Sequence, residues 1–371
     1  MRRHAALTFA CCLGLGALAA SAAAHDAPVA SNAAATARTE NGVLQGAPWR
    51  IDLPAHWNGE VVMLAHGFEP AGTPRPADWP ANPSTATLLK AGFAVAQSGY
   101  ASQGWAVADA IADTERLRAH FIATQPTTRR TWVLGFSMGG AVAIATLERY
   151  PQHYAGGASL CGANLPGEVL ASETLTTLLA FDHFFPRARG LPAAGLASPA
   201  AASIPQADLY PAIAGALQAQ PTVAARLATR LQVTAEQLPG TISLHALVLH
   251  DLVKRSGGMP VGNRDTVYAG FGDDAAFNAE VRRLDADPAA QATLRRELGL
   301  TGALSRPLVI QYNRDDPTIN PRFEPVYPAL AAKAGADPLP TVLARAGEGH
   351  CGFSDDEVLG AILVQSTVTQ P

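Results

Sequence analysis

Ser137 stands in the run Gly135-Phe136-Ser137-Met138-Gly139-Gly140. An apolar stretch, Thr131-Trp132-Val133-Leu134, precedes it, and Ala141-Val142-Ala143-Ile144-Ala145-Thr146-Leu147 follows. The order reads strand, sharp turn, helix, which is the setting a nucleophilic serine requires. A hydroxyl is a poor nucleophile until a base can take its proton and the backbone holds it clear of the sheet. Small residues such as Gly135 and Gly139 let that turn close without a clash. The chemistry available here is acyl transfer through a covalent intermediate, and the bland alternative is a glycine-rich helix start that merely packs on a strand. Acyl transfer also needs a base, an acid to orient it and an oxyanion hole, so the rest of the chain must supply these and the elements that bring them together.

Composition sets the outer bounds. The 371 residues are 48% hydrophobic and 16% charged, with a formal net charge of -4 and no basic block. These values describe a globular protein with a large core, neither disordered nor bound to nucleic acid. Met1-Arg2-Arg3-His4, an apolar run over residues 5–20 and the small residues 21–24 read as a secretory signal peptide spanning 1–24. The run is short and alanine-rich for a membrane span, and a Pro/Ala-rich linker over 25–38 follows it, so no stable span is expected once the signal is removed. The expected destination is the periplasm or the medium, with the export route left open by Arg2-Arg3. Cys11 and Cys12 leave with the signal. Cys161 and Cys351 remain, at the ends of strands that converge on the site, as either one disulfide or two buried thiols.

Along the chain, residues 39–54 read as an entry hairpin around Asn41-Gly42 and Gly46. Val61-Val62-Met63-Leu64-Ala65 is apolar without alternation, as a strand covered on both faces should be, and it ends at His66-Gly67-Phe68-Glu69. A short helix over 84–90, a strand over 93–96, a helix over 105–124, the Ser137 strand and helix, and a strand over 156–160 continue the βα alternation. The alternation then stops for about 140 residues, 165–305. That is far too long for a loop, so it reads as an inserted helical lid. Thr234-Ala235-Glu236-Gln237 reads as a capping box, and Pro211 and Pro288 suit first helical positions. His245 and His250 lie five apart, on different helix faces, and read as structural or solvent-facing; no metal site is expected. Strands at 307–312 and 341–344 and an amphipathic helix from Ser354 complete the chain, with Asn313-Arg314-Asp315-Asp316-Pro317 and Gly349-His350-Cys351-Gly352 after the two strands.

The order Ser137, an acid after a later strand and His350 after the last strand resembles the α/β-hydrolase superfamily. The motifs that carry it are His66-Gly67-Phe68, the Gly135 to Gly139 turn, Arg314-Asp315-Asp316-Pro317 and Gly349-His350-Cys351-Gly352-Phe353. The resemblance implies an α/β fold with a mostly parallel central sheet, helices on both faces and a core split into 39–164 and 306–371. It makes Ser137 the nucleophile, His350 the base and Asp316 the acid, with Asp315 as the alternative because Asn313 replaces the usual glycine. It assigns the oxyanion hole to the amides of Phe68 and Met138. His66 is expected to shape its turn. Tyr100, Gln103 and Trp105 open toward the same end of the sheet and are candidate substrate contacts, and Phe181, Phe184 and Phe185 either line an acyl site or pack in the core. The implied activity is cofactor-independent cleavage of a small or polymeric carboxylic ester by an exported serine hydrolase. An exopeptidase or amidase of the same fold and a non-catalytic binding protein on this scaffold are the alternatives. Oligomeric state is not set by the sequence.

Overall fold

The computed structural model describes residues 36–368. The signal peptide over 1–24, most of the linker, Cys11 and Cys12 therefore lie outside the described residues. The described residues form one compact unit.

Eight strands make one sheet: β1 (Arg38–Leu44), β2 (Ala47–Leu53), β3 (Glu60–Ala65), β4 (Ala94–Ser98), β5 (Arg130–Phe136), β6 (Gly156–Leu160), β7 (Leu308–Gln311) and β8 (Thr341–Val342). Their spatial order is β1-β2-β4-β3-β5-β6-β7-β8. The β1–β2 and β2–β4 pairs are antiparallel and every later pair is parallel. The non-alternating run in β3 is explained by its two covered faces. Val61, Met63 and Ala65 enter one core cluster, while Val62 and Leu64 enter the other. Helices α1 (Thr85–Lys90), α2 (Val107–Thr124) and α3 (Met138–Arg149) supply the crossovers between parallel strands.

The hairpin turn falls at Gln45-Gly46, both at positive φ (50° and 88°). β1 runs straight through Asn41-Gly42, so of the two glycine sites in the expected hairpin it is Gly46 that makes the turn. Gly42 serves packing instead: a Cβ on it would stand 2.6 Å from the Trp49 ring.

Residues 165–305 hold α4 (Gly167–Phe184), α5 (Gln206–Ala219), α6 (Pro221–Leu231), α7 (Leu238–Ser256), α8 (Asp274–Glu280) and α9 (Pro288–Leu298), with no strand among them; α10 (Val326–Ala334) and α11 (Asp355–Val368) belong to the second part of the core. The sequence signals at these helix ends mostly have a physical counterpart. The Thr234 amide donates to Gln237 Oε1 (2.9 Å) and the Gln237 amide to Thr234 Oγ1 (3.3 Å), just ahead of α7. Pro288 opens α9 behind Asp287, whose carboxylate accepts from the Ala289 and Ala290 amides. Pro211 does not open a helix: it lies inside α5, whose N-cap is Pro205. It is tolerated because the carbonyl it leaves unpaired, that of Ala207, is on the exposed side of the first turns, where water can reach it. The insert is not a separate body, since Leu175, Leu178, Ile242 and Leu249 share one core cluster with Val142 and Ile144 of α3.

Candidate active site

The strand order reverses direction between β3 and β5, and the loops after these neighbouring strands diverge there. This is the crevice where open α/β sheets bind ligands. Ser137 follows β5 at φ 57° and ψ -125° and acts as the N-cap of α3. A non-glycine residue at positive φ is held only when its surroundings over-determine it. Here its amide donates to Leu160 O (3.3 Å), and its carbonyl accepts from Gly140 N (2.9 Å) and Ala163 N (3.0 Å). Gly67 lets the loop after β3 pass close by, since a Cβ there would come within 3.1 Å of Ser137 Cβ.

His350 Nε2 lies 2.9 Å from Ser137 Oγ, and His350 Nδ1 lies 2.8 Å from Asp316 Oδ2 and 3.0 Å from Oδ1. Asp316 is buried, and its Oδ1 also accepts the amides of Thr318 (2.8 Å) and Ile319 (3.0 Å). These two donors fix the carboxylate plane, so the ring is met by an oriented acceptor. Asp315 points elsewhere and accepts the Gly349 amide at 2.8 Å. Asn313, fully buried, donates to Ala346 O (3.0 Å) and accepts from Cys351 N (2.9 Å). A glycine at 313 could do neither, so the departure from the family pattern ties the loop after β7 to the loop that carries His350. That loop receives little support from its strand, because β8 pairs over two residues only, shorter than the sequence suggests, at an exposed sheet edge.

A disulfide joins Cys161, just beyond β6, to Cys351, adjacent to His350, with Cα atoms 5.2 Å apart and a sequence separation of 190. With Asn313, it fixes the histidine loop from both sides.

His66 stands behind the loop after β3. Its ring stacks on Tyr100 with centroids 4.0 Å apart, and its Nδ1 donates to Gly67 O at 2.8 Å. Tyr100 is buried, and its hydroxyl donates to His66 O at 3.1 Å. Gln103 bonds Gly72 N (2.7 Å) and Thr73 O (2.6 Å). Both residues therefore brace the loop and neither lines the cavity at Ser137, whereas Trp105 does line it. Phe68, on the loop after β3, lines the same cavity as Ser137, and Met138 is the first residue of α3.

The cavity measures about 370 Å³. Phe68, Trp105, Phe136 and Ile319 come from the core, and Leu170, Thr174, Leu244, His245 and Val248 come from α4 and α7. Among the described residues no carboxylate, guanidinium or ammonium group lines it. Phe181, Phe184 and Phe185 lie elsewhere: Phe181 stacks on Phe185 (5.0 Å), Phe184 packs on Phe277 (5.5 Å), and Phe181 and Phe185 line a separate cavity around Asp182 within the insert. The insert is anchored over the site. Asp251 of α7 accepts the Trp105 amide at 2.6 Å and pairs with Arg255 (2.7 Å), which also donates to Gln103 O.

Spacing arguments miss His245 as a site residue, because they compare it only with His250. His250 is a structural group that bonds Leu196 O through Nε2 (2.8 Å), but His245 reaches the cavity wall. No sequence signal marks this, because the wall forms only when α7 crosses α4. Among the described residues no cluster could hold a metal ion, and no helix is long and apolar enough to cross a membrane.

Burial lowers both His66 and His245 from 6.5 to about 4, so both rings are neutral at pH 7. The unfolded chain, with the higher value, takes up these protons first as pH falls. The stabilisation is therefore complete above pH 6.5 and is lost as pH drops toward 4. The loss is about 3 kcal/mol per histidine. Melting temperatures measured by circular dichroism should fall across this window. A transition independent of pH there would contradict two buried neutral rings.

The model of the serine aminopeptidase S33 family (Hydrolase_4) matches residues 96–198. No curated protein matches the sequence. Similar solved structures include Est1E from Butyrivibrio proteoclasticus, at 10% identity over 89% of this chain and 99% of that one with a TM-score of 0.44. A Bacillus coagulans carboxyl esterase gives 13% identity over 90% and 98%, TM-score 0.43. The Pyrococcus horikoshii acylaminoacyl peptidase gives 8% over 90% and 41%, TM-score 0.45, so this chain spans less than half of that protein. The family match covers the segment carrying β5, Ser137 and α3. With the sheet order around it, the chain has the α/β-hydrolase fold.

Proposed function

We propose that the protein is an exported serine hydrolase that cleaves a carboxylic ester through an acyl-enzyme. The observation that carries this reading is the continuous Asp316–His350–Ser137 hydrogen-bond chain opening into a largely apolar cavity. Ser137 Oγ attacks the ester carbonyl while its proton passes to His350 Nε2, and the Asp316 carboxylate holds Nδ1–H and stabilises the imidazolium. The amides of Phe68 and Met138 receive the oxyanion, a role in which one lost donor typically costs about 3 to 4 kcal/mol. The C–O bond to the alcohol then breaks, with His350 returning the proton to the leaving oxygen. Water, deprotonated by His350 in turn, releases the acid and restores Ser137. The helices over 165–305 act as the lid that excludes bulk water and shapes the acyl site. Export is supported by the Cys161–Cys351 disulfide, which persists in oxidising compartments.

The S33 match favours a second reading, a peptidase or amidase. An aminopeptidase needs an anion for the substrate amine, and the cavity wall offers none. A fluorophosphonate probe should label Ser137 stoichiometrically. Failure to label the folded protein would leave only the non-catalytic scaffold. Unlabelled enzyme from the same preparation should turn over p-nitrophenyl esters and leave aminoacyl-p-nitroanilides intact; the reverse pattern would establish the peptidase.

A further inference from the structure

The acyl-transfer steps use His350 and leave the second imidazole of the cavity unassigned. His245 Nδ1 lies 2.9 Å from Thr177 Oγ1. The Thr177 hydroxyl has one proton, and it lies within hydrogen-bond reach of Glu173 O at 3.0 Å. With the proton donated there, the Thr177 oxygen can only accept, so Nδ1 carries the ring proton and Nε2 is a bare lone pair. Thr177 is fully buried and cannot exchange these partners for water. The ring itself is kept neutral by burial, and the neighbouring charges of the Glu173–Arg322 ion pair act on it in opposite directions. Nε2 has no protein partner among the described residues, and the ring borders a cavity whose wall is mostly apolar, with Leu170, Leu244, Val248 and Ile319 beside the Thr174 and Thr318 side chains. An acceptor fixed in an apolar wall favours a ligand that brings a donor and disfavours one that brings a second acceptor.

We infer that His245 is a specificity-determining residue and that the substrate carries a hydroxyl group which donates to its Nε2, so that the enzyme selects hydroxylated esters over plain alkyl ones. This rests on the serine-hydrolase reading, and the test separates the two. Ser137 is inactivated with a panel of p-nitrophenyl alkylphosphonates bearing hydrogen, hydroxyl or methoxy on a chain at either side of phosphorus. In this reaction the Oγ–P bond forms, the P–O bond to nitrophenol breaks, nitrophenolate leaves with the electron pair, and the serine proton passes to His350. The folded wild-type enzyme should react about tenfold or more faster with a hydroxylated member than with its hydrogen and methoxy counterparts. His245→Phe should bring that ratio close to one. Thr177→Val, which removes the group that fixes the ring proton, should lower it as well, and it serves as the second variant if His245→Phe fails to fold. A wild-type ratio near one at every position, methoxy equal to hydroxyl, or a ratio that survives both substitutions would overturn the inference while the hydrolase reading stands. No labelling of Ser137 by any member would overturn both.

Discussion

Asp316→Asn should lower kcat for ester hydrolysis by about four orders of magnitude, while Asp315→Asn should keep it within about tenfold of wild type. The two residues are adjacent, and the sequence leaves both open, but their surroundings separate them. Asp316 offers both oxygens to His350 Nδ1 and is held by two amides, those of Thr318 and Ile319. An asparagine in that place can turn its Nδ2 toward the ring, which forces the proton onto Nε2 and removes the lone pair that must take the serine proton. It also leaves the imidazolium without a counter-charge. Asp315 accepts one amide, that of Gly349, at 2.8 Å, and the carbonyl oxygen of asparagine can accept the same bond. Unchanged circular dichroism spectra and melting temperatures for both variants exclude misfolding as the cause. If Asp315→Asn alone abolishes turnover, the acid has been assigned to the wrong aspartate.

The parts of the fold that depend on local pattern are legible in the sequence. The run 61–65 announces a strand buried on both faces, and the glycines around Ser137 announce a close approach. Helix ends with a side-chain acceptor, such as Asp287 before Pro288, are equally legible. What escapes the sequence depends on which segments meet. Asn313 looks like a departure from a pattern, yet it is the clamp between two loops 33 residues apart. Tyr100 and Gln103 lie at the expected end of the sheet, but their polar atoms are taken up by the loop after β3. Asp251 and His245 carry no local signal at all, because their partners, Trp105 and Thr177, are 146 and 68 residues away. Pro211 misleads because a proline marks a helix start only statistically, and the exposed first turns of α5 tolerate it further in.

Gly135→Ala should destabilise the protein by about 3 kcal/mol or more out of a total stability of about 5–15 kcal/mol. A Cβ at 135 would stand 1.8 Å from Gly139 O and 2.3 Å from Gly139 C. Both atoms are backbone, so no rotamer change relieves the contact. The first turn of α3 would have to move by about 1.5 Å or more, the gap between such a clash and ordinary van der Waals distance. It cannot move freely, because Gly139 is itself pressed on β3, where its own added Cβ would meet Ala65 O at 2.1 Å. The displacement falls on Ser137, and about 1 Å of misplacement at a reacting atom can cost about 100-fold in rate. Gly240, exposed in α7 with nothing within 4 Å of an added Cβ, is the control. Gly240→Ala should leave stability unchanged or raise it by up to about 1 kcal/mol, since alanine is the better helix former. Urea denaturation of the unreduced proteins compares the two. A wild-type midpoint for Gly135→Ala would mean that β5 and α3 do not meet backbone to backbone, and the close turn would no longer explain how Ser137 is held.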